Sequence, residues 1–242
     1  MYLVKKTTII FPQHLLVYTQ YLEGMICGVD EAGRGPVIGP LVVAGVVLPN
    51  DKRLIELRVK DSKKVSPVRR VRLEEKIKIM AVDYELLVIP AKDIDDMRKV
   101  MTLNEIEVNA FSKVIKKLKP DICYVDSADV NEERFKNDIL CNLSIKPEII
   151  SKHKADDIYP IVGAASILAK TKRDEEVAKI AKKLEMKISL PLGSGYPADP
   201  LTQDFLKAWY KKYGKLPPNI RKSWKTTQNL IKDANTKRLD DF

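Results

Sequence analysis

The sequence has few of the residues that build disulfide frameworks, zinc sites or fibrous proteins. Its three cysteines lie far apart and form no C-x-x-C pair, so neither a disulfide framework nor a zinc site is indicated. Ten glycines and 14 prolines in 242 residues are too few for a fibrous protein. The mildly apolar residues 7–22 are interrupted by polar side chains and are too short a stretch to span a bilayer. We therefore expect a cytoplasmic protein in a reducing compartment.

Positive charge is in surplus. Lys and Arg number 43 against 33 Asp and Glu, which gives a net charge of +10, and 45% of the residues are apolar. The apolar fraction excludes a disordered chain, and the basic surplus indicates a polyanionic partner, with nucleic acid ahead of an anionic membrane surface. A generally charged, solvated surface is the alternative interpretation.

The basic residues are concentrated in residues 52–72 and 205–226. The second segment contains both tryptophans and no acid, and basic residues interleaved with aromatics are typical of a duplex-binding arm rather than of a membrane helix. Solvated helix faces are the competing interpretation of both segments. The basic residues of the second segment are Lys207, Lys211, Lys212, Lys215, Arg221, Lys222 and Lys225.

Apolar runs and capping signals predict an alternation of strands and helices. The predicted strands are residues 25–29, 40–48, 82–89, 122–125 and 148–151. The predicted helices are residues 67–80, 103–118, 131–141, 159–186, 200–213 and 220–231, with 51–65 as a basic connection. This alternation favours an α/β fold, and the sequence shows no internal repeat.

Four carboxylates follow predicted strands. Asp30 and Glu31 come after the first, Asp126 after the fourth and Asp156 after the fifth. Functional groups gather at strand ends in open α/β sheets, and converging carboxylates need a cation to offset their repulsion. Two divalent ions roughly 3.5–4 Å apart can clamp a phosphate and activate water, and Mg²⁺ suits such a site. The alternatives are a solvated strand end for the first pair and a helix N-cap for Asp156.

Further motifs could contact a phosphate or a base. Gly33, Arg34 and Gly35 allow close backbone approach and offer a guanidinium, although no Walker P-loop pattern is present and a plain tight turn is the alternative. Residues 61–64 offer a hydroxyl and two ammonium groups that could bind a phosphate. A solvated loop is the alternative interpretation. Tyr196 could stack on a base or sugar, or cap the core. His153 could move a proton, or lie on the surface.

Together these blocks resemble those of a known family. The sequence blocks GVDEAGRGPVIGPLVVAGVV, DSKK, YVDSADV, HKADD, AASILAK and GSGYPADP are similar to those of type 2 ribonuclease H (ribonuclease HII) in its archaeal form, and they occur in the same order. The resemblance runs from Gly28 to about Trp224. It implies a ribonuclease H-like fold, with a mixed β-sheet flanked by helices and a helical C-terminal portion.

The resemblance also implies an activity and its residues. The activity is cleavage of RNA in RNA–DNA hybrids and incision 5′ of single ribonucleotides in duplex DNA, with Mg²⁺ or Mn²⁺, leaving 3′-hydroxyl and 5′-phosphate ends. The four acids named above match the family's catalytic metal ligands. Gly33, Arg34 and Gly35 match the motif that reads the 2′-hydroxyl, Tyr196 matches the tyrosine at the sugar, and Lys63 lies in a block linked to phosphate contact. A junction resolvase and a catalytically silent binding module are the alternative functions.

We expect a monomer in four parts. Residues 1–24 form an extension of unassigned role, and Met25 is an alternative start. Residues 25–190 form the catalytic core, 191–232 a helical region that grips the substrate, and 233–242 a flexible tail. Leu239 and Phe242 have the spacing of a sliding-clamp motif, with Thr236 in place of its glutamine. A tail without a partner is the alternative.

Overall fold

The computed structural model describes the backbone of residues 24–59 and 65–239, and the side chains of these residues as far as 232. The strands are β1 (Ile26–Ala32), β2 (Leu41–Leu48), β3 (Asp83–Ile89), β4 (Ile122–Asp126) and β5 (Glu148–Lys152). The helices are α1 (Lys52–Glu56), α2 (Pro67–Met80), α3 (Ala91–Met97), α4 (Leu103–Leu118), α5 (Glu132–Cys141), α6 (Ala155–Ile158), α7 (Pro160–Ile188), α8 (Pro200–Tyr213) and α9 (Lys225–Leu239). None of the helices in this part of the chain is long and apolar enough to cross a membrane.

The strands form one mixed sheet in the order β3-β2-β1-β4-β5. The first three strands are antiparallel neighbours, whereas β4 runs parallel to β1 and β5 parallel to β4. All eight residues of β2 are buried because both faces of the sheet are covered. One face packs on α2 and α7, through residues such as Ile77 and Leu168, and the other packs on α4 and α5, through Phe111 and Phe135. The expected mixed sheet flanked by helices is confirmed.

Capping residues set the helix ends as their sequence signals predicted. The Ser66 side chain accepts a hydrogen bond from the Arg69 amide at the start of α2, and Thr102 and Glu105 form a capping box on α4. Helix α8 follows the Asp199 cap and ends at Gly214 in the left-handed conformation. Each cap satisfies backbone groups that a helix end otherwise leaves without a partner.

Four helices differ from the prediction, and one of them is α6, a four-residue helix just before the predicted start of the long helix. Helix α1 lies within the expected basic connection and α3 follows Pro90; each is two turns or shorter and shows no long apolar period. The last helix begins at Lys225 rather than at residue 220, and its backbone continues to Leu239. The start is late because Ile220 forms a β-bridge with Ile38 and the Arg221 amide donates to the Val37 carbonyl.

The helix α7 packs directly on the backbone of β1. A β-carbon placed on Gly28 would lie 2.2 Å from the Ile161 carbonyl oxygen and 2.6 Å from the Val162 nitrogen, so only glycine permits this approach. The contact brings the start of α7 against the central strand, while α6 before it lies against β4. One strand end and one helix start thus meet on the same side of the sheet.

Two of the three cysteines are small buried residues in the middle of the sheet. Cys27 of β1 and Cys123 of β4 are register partners on adjacent parallel strands, and both are fully buried. Cys141, at the end of α5, is exposed.

Candidate active site

The four predicted acids lie at neighbouring strand and helix ends. Val29 pairs with Val125 between the parallel strands β1 and β4, so Asp30 and Asp126 lie at the same end of the sheet. Asp156 lies in α6, just beyond β5. The Ala155 amide donates to Asp126 Oδ1 at 2.9 Å, which holds the start of α6 against the end of β4. Asp156 is not a helix N-cap, because Lys154 occupies that position in α6 and Tyr159 in α7.

The acids perturb one another electrostatically. Asp30 and Asp156 are only 3% and 1% exposed. The pKa of Asp30 is raised from 3.8 to about 7, first because the carboxyl is buried and next because of the charge of Asp126, with a smaller contribution from Asp156. The Ser166 side chain and the Lys170 ammonium act in the opposite direction. Convergence of the acids therefore raises the cost of ionising Asp30.

The carboxyl of Glu31 is perturbed in the same way as that of Asp30. Its pKa is raised well above 4.5 by burial and by the charges of Asp30 and Asp126, while Arg34 acts to lower it. Its Oε2 atom is buried and has no hydrogen-bond partner among the described residues. Buried polar atoms without partners are uncommon in folded proteins, and a perturbed carboxylate in a cleft is typical of a functional site.

The donor set fits a hard divalent cation. Carboxylate oxygens are the ligands that Mg²⁺ and Mn²⁺ prefer, and a cation would offset the repulsion that raises these pKa values. In residues 24–59 and 65–239, no group of three or more His, Cys, Asp or Glu side chains is arranged as it stands to hold a metal ion. Lys170 supplies part of the compensating charge, since its Nζ lies 3.7 Å from Asp156 Oδ2.

A cleft of about 410 Å³ opens beside Glu31. We call Gly33, Arg34 and Gly35 the glycine loop; it forms one wall, and Tyr196 contributes to another. The ring lies where a side chain on Gly35 would project, because a β-carbon placed on Gly35 would lie 3.3 Å from Tyr196 Cε1. The structure therefore brings together the predicted loop, the predicted tyrosine and one predicted acid. The other lining residues are Ala32, Val65, Arg70, Lys170 and Arg173.

The glycine loop has a backbone that requires glycine. Gly33 has φ +92°, and a β-carbon there would lie 2.5 Å from the Pro40 carbonyl oxygen. The Arg34 guanidinium was expected to be available for a phosphate oxygen. Instead its Nη1 forms a salt bridge with the buried Glu107, and its Nη2 donates to Asn104 Oδ1 at 2.7 Å. The arginine side chain therefore anchors the loop to α4.

One predicted residue lies outside the described part of the chain, and another lies away from the cleft. Lys63 lies in residues 60–64, outside the residues that the structure describes. His153 is exposed; its amide donates to Glu132 Oε1 at 2.7 Å, and its Nε2 lies 3.3 Å from the Val130 carbonyl oxygen. His153 therefore belongs to the surface between β5 and α5.

Three cationic side chains of the cleft were not predicted from the sequence. Lys170 and Arg173 are three residues apart, so they share a face of α7 directly after its buried first half. The Arg173 guanidinium lies 5.5 Å from the centre of the Tyr196 ring. Arg70 lies in the first basic segment and donates to Asp174 Oδ2 at 2.8 Å. The switch from an apolar run to basic residues in α7 is the signal that could have identified the first two.

One residue of the second basic segment does not belong to a solvated face. Arg221 is fully buried and lies with its Cζ 4.7 Å from the centre of the Trp224 ring. Burial lowers its pKa from 12.5 to about 10, so it stays protonated at neutral pH. Its interpretation as a surface charge for a duplex is therefore wrong.

Known proteins share this fold and sequence. The profile of one protein family, Ribonuclease HII, matches residues 27–227. The Ribonuclease HII of Methanococcoides burtonii is 48% identical over 214 residues, which cover 85% of this chain and 99% of that protein.

Solved structures agree with the sequence comparison. The ribonuclease H2 of Pyrococcus horikoshii has a TM-score of 0.80 and 41% identity, covering 87% of this chain and 99% of the other. A PCNA:RNase HII complex from Archaeoglobus fulgidus has a TM-score of 0.77 and 41% identity, with coverage of 83% and 95%. The chain thus belongs to the ribonuclease HII family, metal-dependent endoribonucleases that cleave RNA in RNA–DNA hybrids.

Proposed function

We propose that this ribonuclease incises duplex DNA 5′ of a single embedded ribonucleotide and leaves 3′-hydroxyl and 5′-phosphate ends. The observation that carries the proposal is that the glycine loop and the Tyr196 ring line the same cleft beside Glu31, with the ring over the side of Gly35 that has no side chain. A glycine backbone lets a hydroxyl approach closely, and an aromatic ring packs on a sugar. An all-DNA duplex offers no 2′-hydroxyl for the loop to read.

In the proposed mechanism Asp30, Glu31, Asp126 and Asp156 would hold two divalent ions, Mg²⁺ or Mn²⁺. When bound, such ions neutralise charge on the scissile phosphate and lower the pKa of the attacking water. The buried Glu31 Oε2, which lacks a partner among the described residues, supports this role. Asp126 also accepts the Ala155 amide, so it orients α6 and with it Asp156.

The remaining groups of the cleft bind and orient the strand. The backbone of the glycine loop contacts the 2′-hydroxyl, and Tyr196 packs on the adjoining sugar. Arg70, Arg173 and Lys63 attract the phosphates that flank the cut. Residues 25–190 act as the catalytic core, and residues 191–232 grip the duplex.

Cleavage of a DNA duplex with one ribonucleotide tests this function. We expect one cut, 5′ of the ribonucleotide, and no cut in the all-DNA duplex or in the presence of chelator. The Tyr196→Ala variant should lose about tenfold to a hundredfold in kcat/KM on this substrate, because one stacking contact contributes about 1–3 kcal/mol. Tyr84→Ala is the matched control, since Tyr84 on β3 is 38% exposed against 36% for Tyr196. Equal cutting of both duplexes would refute the proposal.

We also propose that residues 239–242 bind a sliding clamp. The similar structure of the PCNA:RNase HII complex supports this partner. Leu239 ends α9, and residues 240–242 lie outside the described part of the chain.

Deletion of residues 237–242 tests the clamp contact. We expect clamp affinity to fall by at least about tenfold, because an aromatic anchor carries much of the energy of such an interface. Cleavage of a short duplex without clamp should not change. Phe242→Ala should reproduce the loss and Asp241→Ala should not. Unchanged clamp affinity after deletion would contradict the proposal.

A further inference from the structure

A short segment before α9 holds the backbone of the glycine loop. This connecting segment is residues 221–224. The buried Arg221 donates from Nη2 to the Gly33 carbonyl oxygen at 2.5 Å, from Nη1 to the Arg34 carbonyl oxygen at 2.9 Å and from Nε to the Gly39 carbonyl oxygen at 3.1 Å. The indole nitrogen of Trp224 donates to the Gly35 carbonyl oxygen at 3.2 Å. Every carbonyl of the loop therefore accepts a hydrogen bond from this segment.

The chemistry of Arg221 shows that these bonds are its main interactions. A guanidinium is costly to bury unless its donors are satisfied, and here the three nitrogens face backbone carbonyls. The Trp224 ring covers one face of the group, with its centre 4.7 Å from Cζ. The two side chains thus support each other and reach the same loop.

The connecting segment is itself anchored to α3. The amides of Lys222 and Ser223 donate to the Asp95 carboxylate at 2.7 Å and 2.9 Å, and the Ser223 hydroxyl donates to it at 2.7 Å. The connecting segment is therefore held in place by α3 independently of the glycine loop. On the opposite side, α4 holds the Arg34 side chain through Glu107 and Asn104.

A loop with two glycines needs such support. Glycine has the largest backbone entropy of all residues, and Gly33 has a positive φ. Recognition of a hydroxyl and alignment of a phosphate both require a backbone held to within a fraction of an ångström.

We propose that Arg221 and Trp224 are positioning residues for the glycine loop. The connecting segment then sets the placement of the substrate at the reacting phosphate, in addition to any grip of the C-terminal region on the duplex. This inference rests on the proposed role of the loop.

Steady-state kinetics of three variants test the proposal on a long RNA–DNA hybrid and on the single-ribonucleotide duplex. Arg221→Gln should lower kcat on both substrates by about tenfold to a hundredfold, as a small misplacement of reacting groups does, with KM within about threefold of wild type. Arg221→Lys should recover part of the loss, since an ammonium can donate to some of the same carbonyls. Trp224→Phe keeps a smaller aromatic ring and removes one donor, so a smaller fall in kcat is expected. Arg98→Gln, the same change at the exposed residue that directly follows α3, is the control.

The outcomes separate a positioning role from a purely structural one and from grip on the duplex. If Arg221→Gln does not fold, Trp224→Phe, which removes the N–H donor but keeps an aromatic side chain, decides the question through its melting temperature and its kcat. Wild-type kcat in the folded variants would overturn the proposal, and so would a rise in KM alone, which indicates duplex grip. If wild type fails to cut the single-ribonucleotide duplex but the variants still lower kcat on the hybrid, the proposed function fails and the positioning role stands.

Discussion

Replacing Asp30 by Asn should stabilise the metal-free protein and remove most of its activity. The folded state raises the pKa of Asp30 from 3.8 to about 7, so above pH 7 the ionised carboxylate is less favourable in the folded chain than in the unfolded chain. At about 1.4 kcal/mol per pKa unit, the destabilisation approaches about 4 kcal/mol. A neutral amide of the same shape removes that cost.

The pH dependence has a definite sign. Between pH 3.8 and about 7 the folded state binds more protons at Asp30 than the unfolded state does. The stability of the wild-type protein in chelator should therefore fall as pH rises from 5 to 8. The stability of Asp30→Asn should fall less over the same pH range. At pH 8 its thermal unfolding midpoint should be about 10 °C higher than that of wild type, at the usual 2–4 °C per kcal/mol for a chain of this size.

Thermal unfolding in chelator and cleavage in Mg²⁺ measure the two halves of this prediction. The rate of hybrid cleavage should fall by about a hundredfold to a thousandfold, the loss typical of removing one electrostatic group from an active site. Asp138→Asn, at an exposed site on α5, should change neither quantity. A lower midpoint for Asp30→Asn at pH 8, or a near-normal rate, would contradict the assignment of Asp30 to the acid cluster.

Replacing Gly28 by Ala should disrupt the packing of α7 on the sheet. The added β-carbon would lie 2.2 Å from the Ile161 carbonyl oxygen and 2.3 Å from the carbonyl carbon, and neither belongs to a flexible side chain. The helix must move away from β1, so we expect a loss of about 4 kcal/mol or more, at the upper end for single substitutions. The displaced helix start should also separate Asp156 from Asp30 and reduce activity.

A second glycine provides the control. Gly214 has φ +62° and no atoms within 4 Å of a β-carbon, so Gly214→Ala carries only the conformational cost of about 1–2 kcal/mol. Urea unfolding of both variants separates the steric cost from the conformational one. Similar stability of the two variants would show that α7 does not contact β1 this closely.

The local features of the fold and the identity of the acids could be predicted from the sequence. The strands contain short apolar runs, helices α2, α4, α5 and α8 have capping residues, and Asp30 and Asp126 directly follow apolar runs. These signals are local because caps and strand ends are satisfied by nearby residues. Helices α1 and α3 are too short to show a period.

The supports of the glycine loop could not be predicted. Glu107 lies 73 residues from Arg34, and Arg221 lies 187 residues from it. The sequence places Arg221 in a basic segment typical of a duplex-binding arm, and its burial, like that of Glu107, depends on the tertiary structure. Charged residues are seldom fully buried without partners, so only the fold reveals which ones are.

The paired cysteines in the middle of the sheet have a practical consequence. Cys27 and Cys123 lie on β1 and β4, the two strands that carry Asp30 and Asp126 in their C-terminal halves, and neither thiol is exposed while the strands are joined. Alkylating reagents reach them only when this pair of strands parts, whereas Cys141 reacts in the folded state. The alkylation rates of these two thiols therefore report how often β1 and β4 separate beneath the acids, and no added label is needed.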